Sequence, residues 1–442
     1  MAGLVAAEAL LNAGHDPLLL EARGRVGGRI ETLREPFAPG LYAEAGAMRL
    51  PRAHALTMAY LEKFDLPLEP FTMGNPAGYY HFHGARCRIA AARADPECLG
   101  FAVAGHERGV LPGQRFRDAI APIAARLEGG EPWEAILAEY DHYATREFLE
   151  AQGWSEGAIE QYGLVENQES RLNMAFIEVL LHEVGHSFAD MCQIRGGTDL
   201  LPRAFLPALA PRIRFGAALV ALDQSPDGVV AHYRTAAGRF SAAGDYAILA
   251  LPFAALRHVE ILQPFSPAKR RAIRQLNYDA SAKVFLQCRR RFWEEDDGIV
   301  GGGSHTDLAI RNLYYPEHGR ETGRGVLVAS YTWAQDAERW GSLAPDERVA
   351  QAIEDVSRIH PQIVAEVEVG ASKVWHADPW ACGAFALFEP RQKTTLHEAI
   401  VAPEGRVHFA GEHCSLMHRW VQGAIESGLR AAMAIHEASS AA

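Results

Sequence analysis

The sequence predicts a mixed fold class: an α/β part built on a parallel sheet, an α+β part built on a second sheet, and a helical insertion. Three observations carry this. The 442 residues exceed what one hydrophobic core holds and divide into roughly three domains. The first twenty residues read as a helix and then a short apolar strand, the alternation from which parallel sheets are built. Residues 115–194 lack strand-like runs and read as helical, whereas 212–222, 228–235 and 246–251 are short β-rich runs.

Residues 2–13 are dominated by Ala and Leu, strong helix formers, and Gly14 stands where a C-terminal cap belongs. His15-Asp16-Pro17 then turns the chain into Leu18-Leu19-Leu20, an apolar strand that ends on Glu21. Helix, turn, buried strand and terminal acid are the last two parts of a βαβ dinucleotide unit, whose first part is a strand running into G-x-G-x-x-G. Gly3 takes the third glycine position, and Glu21 follows it by 18 residues, the reach of an acid to ribose hydroxyls. The preceding strand and the first two glycines are not in the sequence. Losing a central parallel strand unpairs ladder groups and removes backbone donors that face a pyrophosphate. The expectation is therefore that the chain starting at Met1 binds its dinucleotide poorly and that the native product starts upstream. Beyond the acid, Arg23, Arg25 and Arg29 surround the pair Gly27-Gly28, chemistry suited to a pyrophosphate, although an exposed basic loop reads the same way.

The helical stretch is expected to contain long helices over 132–150 and 159–184. The β-rich runs are separated at Asp227-Gly228 and Ala243-Gly244. Later come a helix over 346–359, framed by Pro345 and Pro361, a strand over 407–409 and a final helix over 421–436. Lys plus Arg number 43 against 55 for Asp plus Glu, so the net charge of −12 argues against nucleic acid or an anionic membrane as partner. No apolar run approaches the length of a membrane span. Six cysteines form no C-x-x-C pair and read as reduced thiols of a cytoplasmic protein.

Seven segments, in order along the chain, resemble the FAD-dependent flavin amine oxidases, and within them the L-amino-acid oxidases of bacteria and snake venom. They are LLLEARGRVGGRI (18–30), YAEAGAMRLP (42–51), FIEVLLH (176–182), GGTDLLPRAF (196–205), SAKVFLQCRRRFWEEDDGI (281–299), ASYTW (329–333) and VHFAGEH with HRWVQGAIESGLRAA (407–432). The resemblance implies a discontinuous Rossmann-like FAD-binding domain (1–50, 195–275 and 395–442), a sheet-containing substrate-binding domain (51–88 and 276–394) and a helical domain (89–194). It also implies noncovalent FAD, because Phe385 stands where covalent-flavin monoamine oxidases carry cysteine.

The implied cofactor contacts begin with Gly3, Glu21, Ala22, Arg23, Gly28 and Arg29, followed by Met48, Arg49 and Val220. Gly411, Glu412 (on the ribityl chain), Trp420, Gly423, Ala424 and Ile425 complete them, the helix from Val421 pointing its N-terminus at the flavin pyrimidine. Arg49 would bind the substrate α-carboxylate, a task that suits a planar guanidinium, although a structural ion pair is the plainer use. Tyr331 would be the second carboxylate contact, with Phe385 and Trp420 lining the pocket. Lys283 lies in an apolar strand, where a lysine is costly without a partner. In the family it holds a water at the flavin and assists reoxidation by oxygen; a protective edge-strand lysine is the alternative. His182 matches a histidine proposed as base or gate near the substrate amine, and His418-Arg419-Trp420 replaces the H-G-W of snake-type enzymes.

His182-Glu183-Val184-Gly185-His186 also matches the H-E-x-x-H of zinc peptidases. Ala189 and Cys192 stand where the metzincin extension needs glycine and histidine, so no metal is expected. The resulting expectation is oxidative deamination of L-amino acids by FAD and oxygen, giving 2-oxo acids, ammonia and hydrogen peroxide, in a possible homodimer. The alternatives are a monoamine or polyamine oxidase, an amino-acid 2-monooxygenase, a zinc metallopeptidase or an inactive truncated remnant.

Overall fold

A computed structural model describes residues 1–440. Its largest sheet has seven strands, ordered Val367–Val374, Ser281–Cys288, Gly325–Trp333, Asn312–Tyr314, Gly303–Thr306, Tyr79–Phe82 and Ala85–Arg88. The strand Ser281–Cys288 is buried at every position and antiparallel to both neighbours. Side chains alternate across a strand, so its residues serve two cores. Ala282, Val284, Leu286 and Cys288 face the helices Ala334–Gly341 and Pro345–Ile359. Phe285 packs on the other side with Phe37, Leu41 and Met48, and Lys283 shares that side. The helix Pro345–Ile359 presents Ala352, Val356 and Ile359 inward, the 4-and-3 spacing of one helical face.

The expected helix and strand at the start are present as Ala2–Asn12 and Leu19–Glu21. That strand pairs in parallel with Ile213–Phe215, and Ala247–Leu249 pairs in parallel with Val407–Phe409. These are two separate pairs, and among the described residues no strand bridges them. Leu19, Leu20, Ile248 and Leu249 instead line a common cavity. A four-stranded sheet, ordered Gly238–Gly244, Gly228–Thr235, Ala218–Ser225 and Glu260–Ile261, packs nearby. Gly238–Gly244, which spans the expected break at Ala243-Gly244, forms a strand that pairs antiparallel with Gly228–Thr235.

The long helices expected over 132–150 and 159–184 are each divided. Trp133–Tyr140 and Thr145–Ala151 are separate: the Asp141 carbonyl accepts from the Arg391 amide at 2.6 Å and its carboxylate from the Thr394 amide and hydroxyl (2.9 and 2.6 Å), while the Thr145 amide turns to the Met174 carbonyl. Glu156–Val165 and Phe176–Val184 are divided at Asn167, in the left-handed region at φ 55°, and by the short turn Glu169–Arg171. The final helix is longer than expected, Val421–Ser440. No helix among the described residues is long and apolar enough to cross a membrane.

The first and last helices pack closely, because Gly428 leaves room for the Ala2 carbonyl: a Cβ there would come within 2.5 Å of that oxygen. Gly428→Val is expected to force the helices apart and lower unfolding free energy by about 1–3 kcal/mol, read from urea unfolding.

Candidate active site

A cavity of about 1040 Å³ runs from the N-terminus of the helix Ala2–Asn12 to the face of the seven-stranded sheet. At one end stands Glu21, which accepts a hydrogen bond from the Arg23 amide at 2.8 Å; burial pushes its carboxyl above the usual range. Ala22, Val220 and Gly3 are on the same wall, beside a helix N-terminus whose free N–H groups suit an anion. The arginines of the following loop separate by role. Arg25 donates to the carbonyls of Val26, Gly28 and Ile30 and braces the loop itself. Arg23 makes a bidentate pair with Asp378 at 2.9 and 2.6 Å, joined there by Lys373. Arg29 donates to the Ala384 carbonyl at 2.9 Å and to Glu412 at 2.8 Å.

Gly28 lines the cavity at φ 59°, with no protein atom within 4 Å of where its Cβ would sit. Gly411 also lines it, at φ 144°, where a Cβ would strike the His413 ring at 2.5 Å. Glu412 is buried and accepts from Arg29 and from the amides of Ala386 and Arg419, which hold its carboxylate on the wall. Ala424 is on the wall as well. An acid at ribose reach, an open glycine turn, a helix N-terminus and a held carboxylate fit a dinucleotide.

At the other end, strand register sets Tyr331 directly opposite Lys283. The Lys283 ammonium donates to the Glu44 and Gly46 carbonyls at 2.9 and 2.8 Å and lies 4.2 Å from the Tyr331 ring centre. Burial pushes its pKa down to about 7, against the opposing pull of the Glu44 charge. Arg49 is flanked by the rings of Phe71, Phe188 and Tyr314 at 5.4–5.9 Å; among the described residues it has no ion-pair partner, and its Nη1 is buried without a hydrogen bond. Met48, Phe385 and Trp420 complete the wall already expected.

Three expected contacts stand elsewhere. Gly423 and Ile425 are off the cavity wall: the Gly423 Cβ position meets the Met417 carbonyl at 2.4 Å, and Ile425 is fully buried in the core shared with the first helix. Their turn of helix faces protein, and only Ala424 between them faces the cavity. His182 is also off the wall. Its Nδ1 accepts from the Trp420 indole at 3.2 Å and its ring lies 6.3 Å from that of Phe188, so it reaches the cavity through these two wall rings. The helix ends at Val184, leaving His186 exposed beyond it at φ 47°. The two histidines therefore do not share a helical face, and no cluster of three metal-ligating side chains occurs among the described residues.

Sequence reasoning missed Arg171, Phe188 and Trp333, all on the wall. Arg171 comes from the short turn in the helical region, and no motif marks it. It also missed the buried pair of His418 and Glu178, 2.7 Å apart, which ties the Trp420 segment to the helix Phe176–Val184.

The family model for flavin-containing amine oxidoreductases matches residues 1–436. The chain belongs to this family. FAD is its cofactor, a dinucleotide of the kind the cavity just described fits, and members of the family act on small molecules with oxygen. The chain is 39% identical over 445 residues to the "Putative L-amino-acid oxidase YobN" of Bacillus subtilis (strain 168), covering 99% of this chain and 93% of that one. It is 36% identical to the L-amino-acid oxidase of Pseudechis australis, covering 99% and 86%. A cofactor-redesigned variant of putrescine oxidase has the same fold, with a TM-score of 0.81 at 21% identity and coverage of 99% and 97%. The mixed fold expected from sequence, an FAD-binding part and a substrate part, is thus the fold of a flavin amine oxidoreductase.

The His418–Glu178 pair makes stability depend on pH. Burial alone would depress His418, but the Glu178 charge and hydrogen bond outweigh it and hold the ring above its ordinary 6.5. Burial alone would raise Glu178, but His418 outweighs it and holds the carboxyl below 4.5. The His418 contribution is full below pH 6.5 and lost as pH rises through the raised value; the Glu178 contribution is present above pH 4.5 and lost as pH falls through the lowered one. Glu178→Gln is expected to cost about 3–5 kcal/mol near pH 6 and to flatten the decline at higher pH, measured by chemical denaturation across pH.

Proposed function

We propose that this flavin amine oxidoreductase deaminates L-amino acids oxidatively, to 2-oxo acids, ammonia and hydrogen peroxide. The observation that carries the reading is Arg49: a guanidinium on the cavity wall, beside Tyr331, with no counter-charge of its own. A simple amine has no group to satisfy it, whereas an α-carboxylate does so with paired N–H···O bonds. The names of the Bacillus and Pseudechis relatives support the same substrate class.

Bound FAD supplies the electron acceptor, and oxygen removes the electrons afterwards. Arg49 and Tyr331 hold the carboxylate, and the rings of Phe188, Trp333, Phe385 and Trp420 keep bulk water off the α-carbon. Because His182 lies behind the Trp420 ring, it positions that indole, and the ammonium proton leaves to solvent. Lys283, with its pKa pushed down to about 7, gives and takes a proton near neutrality and so assists the oxygen step. Phe385 offers no nucleophile, and the cysteine on the wall, Cys382, donates its thiol proton to the Pro379 carbonyl with its pKa raised by burial. FAD is therefore held noncovalently. The larger sheets support the three-part division, since the parallel pairs and the four-stranded sheet draw only on 1–50, 195–275 and 395–442 and the seven-stranded sheet only on 51–88 and 276–394. A three-stranded sheet of Leu50–Pro51, Met191–Ile194 and Leu68–Pro70 joins all three parts and puts a strand at the end of the region expected to be helical.

Arg49→Ala should reduce kcat/KM for amino acids by about 2–4 kcal/mol, and much less for the matching decarboxylated amine; equal losses would remove the anchor role. Lys283→Met should slow oxygen uptake by the reduced enzyme about a hundredfold, with a smaller effect on anaerobic reduction, separated by stopped-flow absorbance. Acid denaturation of the loaded enzyme should leave the flavin in the supernatant; yellow colour in the washed pellet would mean a covalent link.

A further inference from the structure

The cavity carries more positive charge than an α-carboxylate needs. Beside Arg49 stand Arg171 and Arg419, and no one of the three has an ion-pair partner within 4 Å among the described residues. Of the other arginines on the wall, Arg23 is committed to Asp378 and Arg29 to Glu412, and Arg234 is solvent-exposed. Arg171 is only 9% exposed, its one side-chain bond is Nη1 to Gln168 at 2.9 Å, and its Nε is buried without a partner. The Arg419 Nε is likewise buried and unbonded. Each guanidinium is backed by an aromatic ring, Arg171 by Trp333 and Arg419 by Phe385, both at 5.9 Å, a packing that leaves N–H edges free.

The nearby acids do not neutralise them. Asp279 acts on Arg171 from beyond ion-pair distance, is bonded to the Ala334 amide at 3.1 Å, and is pushed up to about 7 by its own burial. Glu178 accepts from His418 and the Phe388 amide on one oxygen, and its charge acts on Arg419 only from beyond ion-pair distance. Arg419, desolvated and repelled by Arg171 and Arg49, is held well below its ordinary pKa. Buried unpaired cations of this kind are costly unless a ligand pairs with them.

Building on the L-amino-acid reading, we propose that Arg171 and Arg419 receive a second carboxylate, so that the substrate class is dicarboxylic L-amino acids, L-glutamate or L-aspartate. An apolar side chain would leave two guanidiniums unsatisfied, and a basic one would be repelled.

The test uses the flavin-loaded enzyme and two readouts. Oxygen uptake should give a kcat/KM for L-glutamate or L-aspartate at least about tenfold above L-leucine and L-lysine, and Arg171→Met should lower the acidic substrate about 10- to 100-fold while L-leucine changes far less. Calorimetry on the oxidised enzyme should show glutarate binding about tenfold more tightly than valerate, a difference that shrinks in Arg171→Met and in Arg419→Met. Preference for L-leucine or L-lysine, glutarate no tighter than valerate, or equal loss for all substrates would overturn the proposal. Turnover of L-leucine without L-glutamate overturns this inference alone; turnover of amines with no L-amino acid overturns the oxidase reading along with it.

Discussion

The buried ammonium of Lys283 is the constraint on which the site depends. A strand covered on both faces has no room for a hydrated charge, so the lysine takes its bonds from the Glu44 and Gly46 carbonyls. The same short segment is held from other sides: Trp375 donates to the Ala45 carbonyl at 2.8 Å, and the Ala45 and Gly46 amides bond to the Glu31 carbonyl. Gly46 permits this approach, since a Cβ there would overlap the Arg29 carbonyl. Met48 and Arg49 follow within three residues, so the lysine that faces the reacting end also sets where the carboxylate anchor stands.

Electrostatics then divide the cavity into two ends. Around Glu21 and Glu412 the charges are answered by backbone amides or by Arg29, and those groups are positioned before any ligand arrives. Around Arg49, Arg171 and Arg419 they are not, and the fold retains the cost of three cations set against aromatic rings. The buried His418–Glu178 pair lies just outside that end and fixes the segment carrying Arg419 and Trp420. Stability is given up where ligands bind and restored in the layer behind.

Much of this was legible along the chain. The helix-then-strand start, the glycine loop, Arg49 and Lys283 each sit in a local pattern whose chemistry is clear from a few neighbouring residues. Failures came where a partner distant in sequence decides. The helix stops at Asp141, where the Arg391 amide and Thr394, some 250 residues away, take its carbonyl and carboxylate, and helix periodicity cannot register them. His182 looked catalytic from its segment, but which face its helix turns to the cavity depends on Trp420, brought in by the last part of the chain.

The sequence by itself therefore determined the chemistry available: a flavin amine oxidoreductase with a dinucleotide acid, a glycine turn and a guanidinium suited to a carboxylate. These depend on residue type at short spacing, which the chain carries without folding. Tertiary structure alone decided which charges are answered. Arg25 and Arg171 are the same residue type, yet one braces its own loop and the other stands unpaired in the cavity. Pairing depends on distances between segments far apart in sequence, and those exist only once the sheets and the helical region have packed around the cavity.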